Sequence, residues 1–449
     1  MRTHMKGAQL AVLLGSAASA MLVSATPNIP PPPQREPILI TNAALYTISG
    51  PVISNGRMLI ENGRITAIGD AASVPDKAGA KVISLGGKRV YPGLIVANSS
   101  LGLAEIQAVK STLDTTEVGA LNPNARALVA VNPDSELLPV ARANGVLAAL
   151  TVPRASPTGL IAGTSALIQL DGWTWEDMGL IPEVGLHITL PTMRFNPALF
   201  PTLMQSRLDE MQRLTTQRLK ALDDALEAAA AYAKAKAADA NTPVDTRWEA
   251  MRPVLSGQRP MFVRADELPQ IRYALALAER YNLKLVIIGG MDAWRIADLL
   301  RERNVPVIIA GIQRLPMRRG DDTDSVYRLA GQLAKAGVKF AIARSGSEFD
   351  AATDRTLPYE AGAAAAHGLA RDEALKAITL YPAQILGAAD NLGSLETGKL
   401  ASFFVADGDP LDIRTNIERI FIQGREVELS DRQTKLNDKY QQKYLQLKK

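Results

Sequence analysis

The chain contains no cysteine among its 449 residues, so it can form neither a disulfide nor a thiolate metal site. A lipid-modified cysteine anchor is excluded for the same reason. Aromatic residues make up only 5% of the sequence, whereas all hydrophobic residues make up 47%, so a core has to be built mainly from Ala, Leu, Ile and Val. This hydrophobic content is sufficient for one large domain together with a smaller one.

Histidine is nearly as scarce, with three residues at positions 4, 187 and 367. The formal net charge is +4, and two of the positive charges, Arg2 and Lys6, lie in a segment that we expect to be removed. The mature chain is therefore close to neutral, which gives no support for a nucleic-acid partner or a strongly anionic one.

The first 25 residues have the pattern of a secretory signal peptide. Two positive charges precede an apolar run, residues 7–23, that is too short and too rich in small residues for a membrane span, and Val23-Ser24-Ala25 fits a small-residue cleavage rule. We predict cleavage after Ala25, with Ala20 as the second choice and an uncleaved anchor as the open alternative. The sequence thus predicts a periplasmic or secreted protein without a membrane partner after cleavage.

The two ends of the mature chain share a β pattern. A linker, residues 26–37, carries five prolines between positions 28 and 37, and residues 38–91 then form short alternating apolar runs separated by Asn55-Gly56 and Asn62-Gly63. Similar runs return only within residues 391–428. Either half alone would leave open strand edges, so we predict one composite β-sandwich built from both ends.

Residues 92–390 alternate between strand and helix patterns, which predicts an α/β fold with a TIM-like (β/α)8 barrel inserted into the sandwich. A long helical insertion, residues 202–238, is expected to pack over the barrel rim, with a lid or a dimerisation helix as the alternatives. Residues 429–449 are expected to form a solvated helical tail. The candidate barrel strands are 94–97, 146–152, 166–170, 186–190, 261–265, 285–288, 305–310 and 339–343.

Residues 91–105, Tyr-Pro-Gly-Leu-Ile-Val-Ala-Asn-Ser-Ser-Leu-Gly-Leu-Ala-Glu, carry a resemblance to a known family. They resemble the first barrel strand of the amidohydrolase superfamily, whose usual form Pro-Gly-(Leu/Phe)-Ile-Asp-X-His-X-His-X-Gly carries two metal-binding histidines. Asn98 and Ser100 stand at the two histidine positions. Residues 157–177 are similar to imidazolonepropionase-related, exported amidohydrolases, and residues 392–411 to the closing signature of the superfamily.

The resemblance implies hydrolysis of non-peptide carbon–nitrogen bonds at a zinc-type centre, but the other ligand positions also differ. Arg264 and Gly289 stand where ligand histidines are expected, and Ser345 replaces an aspartate that would be ligand and general base. Hydroxyl and amide oxygens bind zinc weakly, and glycine offers no side chain. At about 4 Å and an effective dielectric constant of about 20, a guanidinium repels each unit of metal charge by roughly 4 kcal/mol. We therefore expect no metal cofactor.

Two residues are weak catalytic candidates. His187 could be a lone acid–base group, although a buried core histidine is the simpler interpretation. Arg264 could pair with Asp266 or Glu348, neutralise the former metal cavity, or bind an anionic ligand there. His367 is expected at a helix surface or end, without a functional role.

Three acidic residues follow the first barrel strand and could line the mouth of the barrel or cap the next helix, namely Glu105, Asp114 and Glu117. The favoured hypothesis is a pseudoenzyme that binds a small-molecule ligand, self-associates, or pairs with a catalytically competent amidohydrolase relative. The alternative is an active hydrolase of a cyclic or peptide-like amide that uses an unconventional or shared site, in which case the divalent metal of the family would be needed. A purely structural envelope protein is a third hypothesis.

Overall fold

The computed structural model describes residues 29–194 and 205–447, and within them the strands form two eight-stranded sheets. The predicted signal peptide lies outside the described residues. The strands are β1 (Ile38–Leu45), β2 (Ile53–Glu61), β3 (Arg64–Gly69), β4 (Lys81–Ser84), β5 (Arg89–Pro92), β6 (Leu94–Ser99), β7 (Val146–Thr151), β8 (Ile161–Gln169), β9 (Gly179–Thr189), β10 (Met261–Ala265), β11 (Leu285–Gly289), β12 (Val307–Ala310), β13 (Phe340–Ala343), β14 (Phe403–Ala406), β15 (Ile417–Ile422) and β16 (Arg425–Val427).

The first sheet, here called the terminal sheet, joins the two ends of the chain. Its order is β16-β15-β14-β5-β1-β2-β3, and β4 also pairs with β1. The turn between β2 and β3 uses Asn62 and Gly63 at φ 51° and 75°, as expected for a tight hairpin. The ends meet where β5 pairs antiparallel with β14. The composite arrangement predicted from the two β patterns is confirmed.

The second sheet is the barrel, with the order β13-β12-β11-β10-β9-β8-β7-β6. Seven strands run in one direction, but β8 is antiparallel to both of its neighbours. The expectation of an all-parallel barrel was therefore wrong at residues 166–170. Only residues 152–160 separate β7 from β8, which is too short for a parallel crossover and long enough for a hairpin loop.

The barrel closes between its two end strands through a third segment. The main-chain N–H of Ile95 in β6 donates to the carbonyl of Ile378 at 2.9 Å, and that of Ile342 in β13 donates to the carbonyl of Ala377 at 2.9 Å. The turn that carries these carbonyls is buried. Polar main-chain groups at the seam are therefore satisfied without a direct β6–β13 ladder.

Helices surround the barrel and bury its outer face. They are α1 (Leu137–Arg142), α2 (Trp175–Met178), α3 (Gln205–Ala238), α4 (Thr246–Leu255), α5 (Leu268–Tyr281), α6 (Ala297–Glu302), α7 (Ser325–Lys335), α8 (Glu348–Ala351), α9 (Leu357–Ala366), α10 (Arg371–Lys376), α11 (Leu380–Ile385) and α12 (Arg432–Leu447). None of the helices in the described ranges is long and apolar enough to cross a bilayer.

Helix α3 contains the predicted insertion, whose first three residues lie outside the described part of the chain. Its middle is packed, because Leu222 and Leu226 are buried and the carbonyl of Leu219 accepts a hydrogen bond from the Tyr273 hydroxyl of α5 at 3.2 Å. Tyr232 donates to Glu249 of α4 at 2.7 Å. The helix is thus held against the outside of the barrel. The predicted C-terminal tail forms α12, which has no buried residue.

A buried charge cluster connects the barrel to the terminal sheet. Asp171, just after β8, is 5% exposed and forms ion pairs with Arg142 of α1 at 3.5 Å and with Arg425 of β16 at 2.9 Å. Arg142 also donates to the carbonyl of Leu170 at 2.6 Å. Burial raises the pKa of Asp171, and the two arginines oppose that shift. The two sheets are therefore joined by polar as well as apolar contacts.

Candidate functional site

Three of the five positions that the sequence resemblance aligned with metal ligands converge on one short segment. This segment, residues 344–347, follows β13 and is called the exit loop. Asn98, Ser100 and Arg264 each donate a side-chain hydrogen bond to a main-chain carbonyl of the exit loop, at 2.9, 2.9 and 3.0 Å. The fourth, Ser345, lies within the loop. The positions identified by resemblance are therefore neighbours at the C-terminal ends of the barrel strands, where TIM-barrel sites form.

The exit loop lies directly on the end of β6. Asn98 and Ser100 are both 0% exposed. Gly346 has φ +70°, and a Cβ atom added there would come within 2.6 Å of Asn98 Nδ2. Because the loop main chain is in close contact with the Asn98 side chain, the space next to this side chain is filled by protein.

The fifth position, Gly289, is closed in a different way. It ends β11 with φ +103°, a conformation that residues with a Cβ atom rarely adopt. A Cβ atom added there would lie 2.5 Å from Oδ1 of Asp266. The Asp266 carboxylate thus occupies the space into which a side chain at 289 would project, so Asp266 would have to move to admit one.

The carboxylates nearest to Ser345 are bound to an arginine. The Ser345 hydroxyl donates a short hydrogen bond to Asp350, and Arg344 pairs with Asp350 at 2.9 Å and with Glu360 at 2.6 Å. Burial opposes ionisation of Asp350, but the hydrogen bonds from Ser345 and Arg344 hold its pKa below the usual value. Both carboxylates therefore act as counter-ions of Arg344.

These positions do not fit a zinc-type ion. None of the five offers an imidazole or a carboxylate, two are sealed by hydrogen bonds to the exit loop, and one lacks room for a side chain. The described ranges also contain no group of three or more His, Asp or Glu residues arranged to hold a metal ion.

Arg264 forms no close ion pair with either of the carboxylates considered for it, although the charge of Asp266 acts on it from a greater distance. Asp266 is 3.9 Å from Arg314, and Glu348 is 3.4 Å from Arg154, whereas no carboxylate of the described residues lies within 4 Å of Arg264. Burial first, and then the charge of Arg154, lower the pKa of Arg264 to about 10. The guanidinium remains protonated at neutral pH, so this position, which the sequence resemblance aligned with a ligand histidine, carries a positive charge.

His187 lies inside the barrel. Its ring stacks on Phe262 with centroids 4.7 Å apart and planes 1° from parallel, and it is 5% exposed. Burial and the nearby Arg264 lower its pKa to about 3, and its Nε2 atom has no partner among the described residues. A neutral imidazole with this pKa is a poor general base at pH 7, which favours the core interpretation.

The remaining predicted residues lie apart from this cluster. Glu105 accepts hydrogen bonds from the Ser135 hydroxyl at 2.6 Å and the Glu136 main chain at 3.0 Å, where α1 begins. Asp114 and Glu117 are exposed on the loop after β6. His367 is exposed and ends α9, with its Nδ1 atom 2.9 Å from the carbonyl of Ala363, as expected from the sequence.

Sequence reasoning missed a buried acid behind the exit loop. Asp354 is 0% exposed and accepts a hydrogen bond from Ser99 Oγ at 2.5 Å, while its Oδ1 atom has no partner in the described part of the chain. Burial raises its pKa to about 7. The only sequence signal was the series of acids after the last barrel strand, which are Glu348, Asp350, Asp354 and Glu360.

Ionisation of Asp354 and ionisation of His187 should change the free energy of unfolding in opposite directions as the pH rises. Because folding raises the pKa of Asp354 from 3.8 to about 7, its contribution is greatest below pH 4 and is lost as the pH rises to 7. Because folding lowers the pKa of His187 from 6.5 to about 3, its contribution is present above pH 6.5 and is lost as the pH falls.

We therefore expect Asp354→Asn to gain stability relative to the unmodified protein between pH 4 and 7, by a few kcal/mol. Urea unfolding at half-unit pH intervals measures this difference. Asp372→Asn, at an exposed position in α10, is the control and should give a constant difference over the same range. A constant difference for Asp354→Asn as well would contradict the raised pKa.

Comparison with known proteins decides the family. The model of the amidohydrolase family matches residues 297–430, which include the exit loop. The crystal structure of an amidohydrolase from Thermotoga maritima MSB8 is 25% identical, covers 87% of this chain and 99% of its own, and superposes with a TM-score of 0.76. The chain belongs to the amidohydrolase superfamily. The superfamily inferred from the sequence is thereby confirmed.

Two further members share the fold at lower identity. Molinate hydrolase is 16% identical, with 89% of this chain and 96% of its own covered and a TM-score of 0.55. An adenosine deaminase from Xanthomonas campestris, solved with bound zinc, is 17% identical, with coverage of 91% and 98% and a TM-score of 0.54. No curated protein sequence matches this amidohydrolase-superfamily chain.

Proposed function

We propose that this protein is a non-catalytic member of the superfamily that binds a ligand or pairs with a catalytically competent relative. One observation supports the proposal, namely that the protein itself fills the space around the positions aligned with metal ligands. The exit loop accepts hydrogen bonds from Asn98, Ser100 and Arg264, and the Asp266 carboxylate fills the space beside Gly289.

The side chains at the five positions give the physical reason for proposing a non-catalytic protein. A catalytic zinc centre needs nitrogen and carboxylate ligands, which lower the pKa of a bound water to about 7. The five positions supply one amide, two hydroxyls, a guanidinium and no side chain, and the guanidinium repels a cation. Ser345 cannot replace a carboxylate as proton acceptor at neutral pH, and its hydroxyl already donates to Asp350.

Metal content is the direct test. The protein purified from zinc-supplemented medium is expected to contain less than about 0.1 equivalent of zinc, manganese or iron after gel filtration, and EDTA should leave its urea midpoint unchanged. The zinc-bound adenosine deaminase, purified in parallel, is the positive control. One or more equivalents of tightly bound metal in this chain would contradict the proposal.

Activity assays provide a second test on the same preparation. Cyclic amides and small peptide-like amides are expected to show no turnover above that of the buffer. Turnover that is lost in His187→Ala and kept in His367→Ala would instead support the alternative, an unconventional hydrolytic site. His367 is suitable as the control because it is exposed at the end of α9.

The cellular context is part of the proposal. We propose export through residues 1–25, supported by their charged start and short apolar run. Sequencing of the mature N-terminus from the native host should begin at Thr26, after cleavage at Ala25. For the pairing hypothesis, an amidohydrolase relative with intact histidine positions should co-purify at a stoichiometric ratio, and a clean monomer in a native extract would exclude it.

A further inference from the structure

Two arginines are held side by side at the mouth of the barrel. Arg264 donates to the carbonyl of Ser345 at 3.0 Å, and Arg154 donates to the carbonyl of Gly346 at 2.7 Å. Because these carbonyls belong to consecutive residues of the exit loop, the two guanidinium groups are neighbours. Their mutual repulsion contributes to the lowered pKa of Arg264.

The acidic side chains at the barrel mouth lie close to some of its arginines and not to others. Glu348 lies 3.4 Å from Arg154, and Asp266 lies 3.9 Å from a third arginine, Arg314. Arg264, in contrast to these two arginines, has no carboxylate within 4 Å in the described ranges. Arg264 is largely removed from water, and the carboxylates of Asp266 and Asp350 compensate its charge only from beyond 4 Å. A bound anion in direct contact would lower the remaining cost of burying this charge.

Solvent reaches this end of the barrel. The side chains of Arg154 and Arg314 are 32% and 36% exposed, and those of Glu348 and Asp266 are 21% and 28% exposed. Among the described residues, the guanidinium of Arg264 forms one hydrogen bond, so most of its five N–H groups are available to a ligand. The planar arrangement of these donors matches a carboxylate in a bidentate geometry.

We propose that the barrel mouth binds a small organic carboxylate through Arg264, with Arg154 beside it. This inference rests on the proposed function, because it takes the mouth of the barrel as a ligand-binding site and not as a hydrolytic one. A carboxylate fits better than phosphate since Asp266 and Glu348 are close by and would repel a dianion more strongly than a single negative charge.

Calorimetric titration with sodium glutarate, at constant ionic strength set by sodium chloride, tests the proposal. We expect millimolar binding for the unmodified protein and at least a tenfold weaker Kd for Arg264→Met. Arg264→Lys should also be weakened at least threefold, because a lysine cannot form the bidentate contact. Circular dichroism confirms that each variant is folded.

Arg301→Met is the matched control. Arg301 also donates to a main-chain carbonyl, that of Ala336 at 3.2 Å, but it lies at the opposite end of the barrel. There it lines a cleft of about 1210 Å³ at the N-terminal ends of the strands. Glutarate binding should be unchanged in this variant.

Three results would overturn the assignment. They are an absence of glutarate binding, binding weakened by Arg301→Met and not by Arg264→Met, and phosphate binding through Arg264 that is as tight as that of glutarate. None of these results depends on the metal content, so a failure here is distinguishable from a failure of the proposed function.

Discussion

Replacing Asp171 by alanine is expected to lower the free energy of unfolding by about 3–5 kcal/mol. The substitution leaves Arg142 and Arg425 without the carboxylate that lies between them, at 3.5 and 2.9 Å, in a region where Asp171 is 5% exposed. Breaking a buried ion pair by removing one partner is more costly than never having formed it, because the remaining charge is left in a poorly solvated environment.

Urea unfolding followed by tryptophan fluorescence and circular dichroism measures the loss. Asp223→Ala is the control, since Asp223 pairs with Arg280 at 3.2 Å and the arginine side chain is 61% exposed, so its removal should cost at most about 1 kcal/mol. Because the cluster joins the barrel to the terminal sheet, the unfolding transitions followed by tryptophan fluorescence and by circular dichroism should no longer coincide in Asp171→Ala. Equal losses in the two variants would show that the buried cluster does not stabilise the fold.

Substituting alanine for Gly289 is expected to cost about 3 kcal/mol or more, because two effects add there. The residue has φ +103°, which strains any side chain, and the new Cβ atom would lie 2.5 Å from Oδ1 of Asp266. The Asp266 carboxylate therefore has to move away. Histidine at the same position should be less well tolerated than alanine, because its side chain is larger.

Gly398→Ala separates the two effects. Gly398 has φ +93°, close to that of Gly289, but nothing lies within 4 Å of its added Cβ atom. Its substitution should therefore report backbone strain alone, about 1–2 kcal/mol. Adding Asp266→Ala to Gly289→Ala should recover the difference between the two sites. If the two glycine variants lose the same stability, the Asp266 carboxylate does not fill the space beside Gly289.

The predictable part of the fold follows from local patterns. The apolar run that became β6, the hairpin residues Asn62 and Gly63, and the matching β runs at the two chain ends each carry their signal in a few neighbouring residues. The direction of β8 has no such signal in neighbouring residues. It depends on the loop length before the strand, residues 152–160, and periodicity alone does not contain strand direction.

The location of the candidate site could be predicted from the sequence, but the contacts of its residues could not. Aligning Asn98, Arg264 and Ser345 with family positions placed them at one end of the barrel, and the exit loop does bring them together. Of the roles left open for Arg264, direct pairing with Asp266 or Glu348 is not observed, because Arg314 and Arg154 lie within 4 Å of those carboxylates. Such competition among charges distant in sequence is decided by side-chain reach in three dimensions, which the sequence does not encode locally.

The pairing of β5 with β14 has a consequence for the order of synthesis. Pro92 and Phe403 are partners in this ladder, although roughly 300 residues separate them, and at about 5–20 residues per second a ribosome needs about 15–60 s to make that stretch. Throughout this interval the edge of β5 has no partner from its own chain. A nascent or truncated chain that stops before β14 therefore exposes an open strand edge, available to chaperones and to other unfinished copies alike.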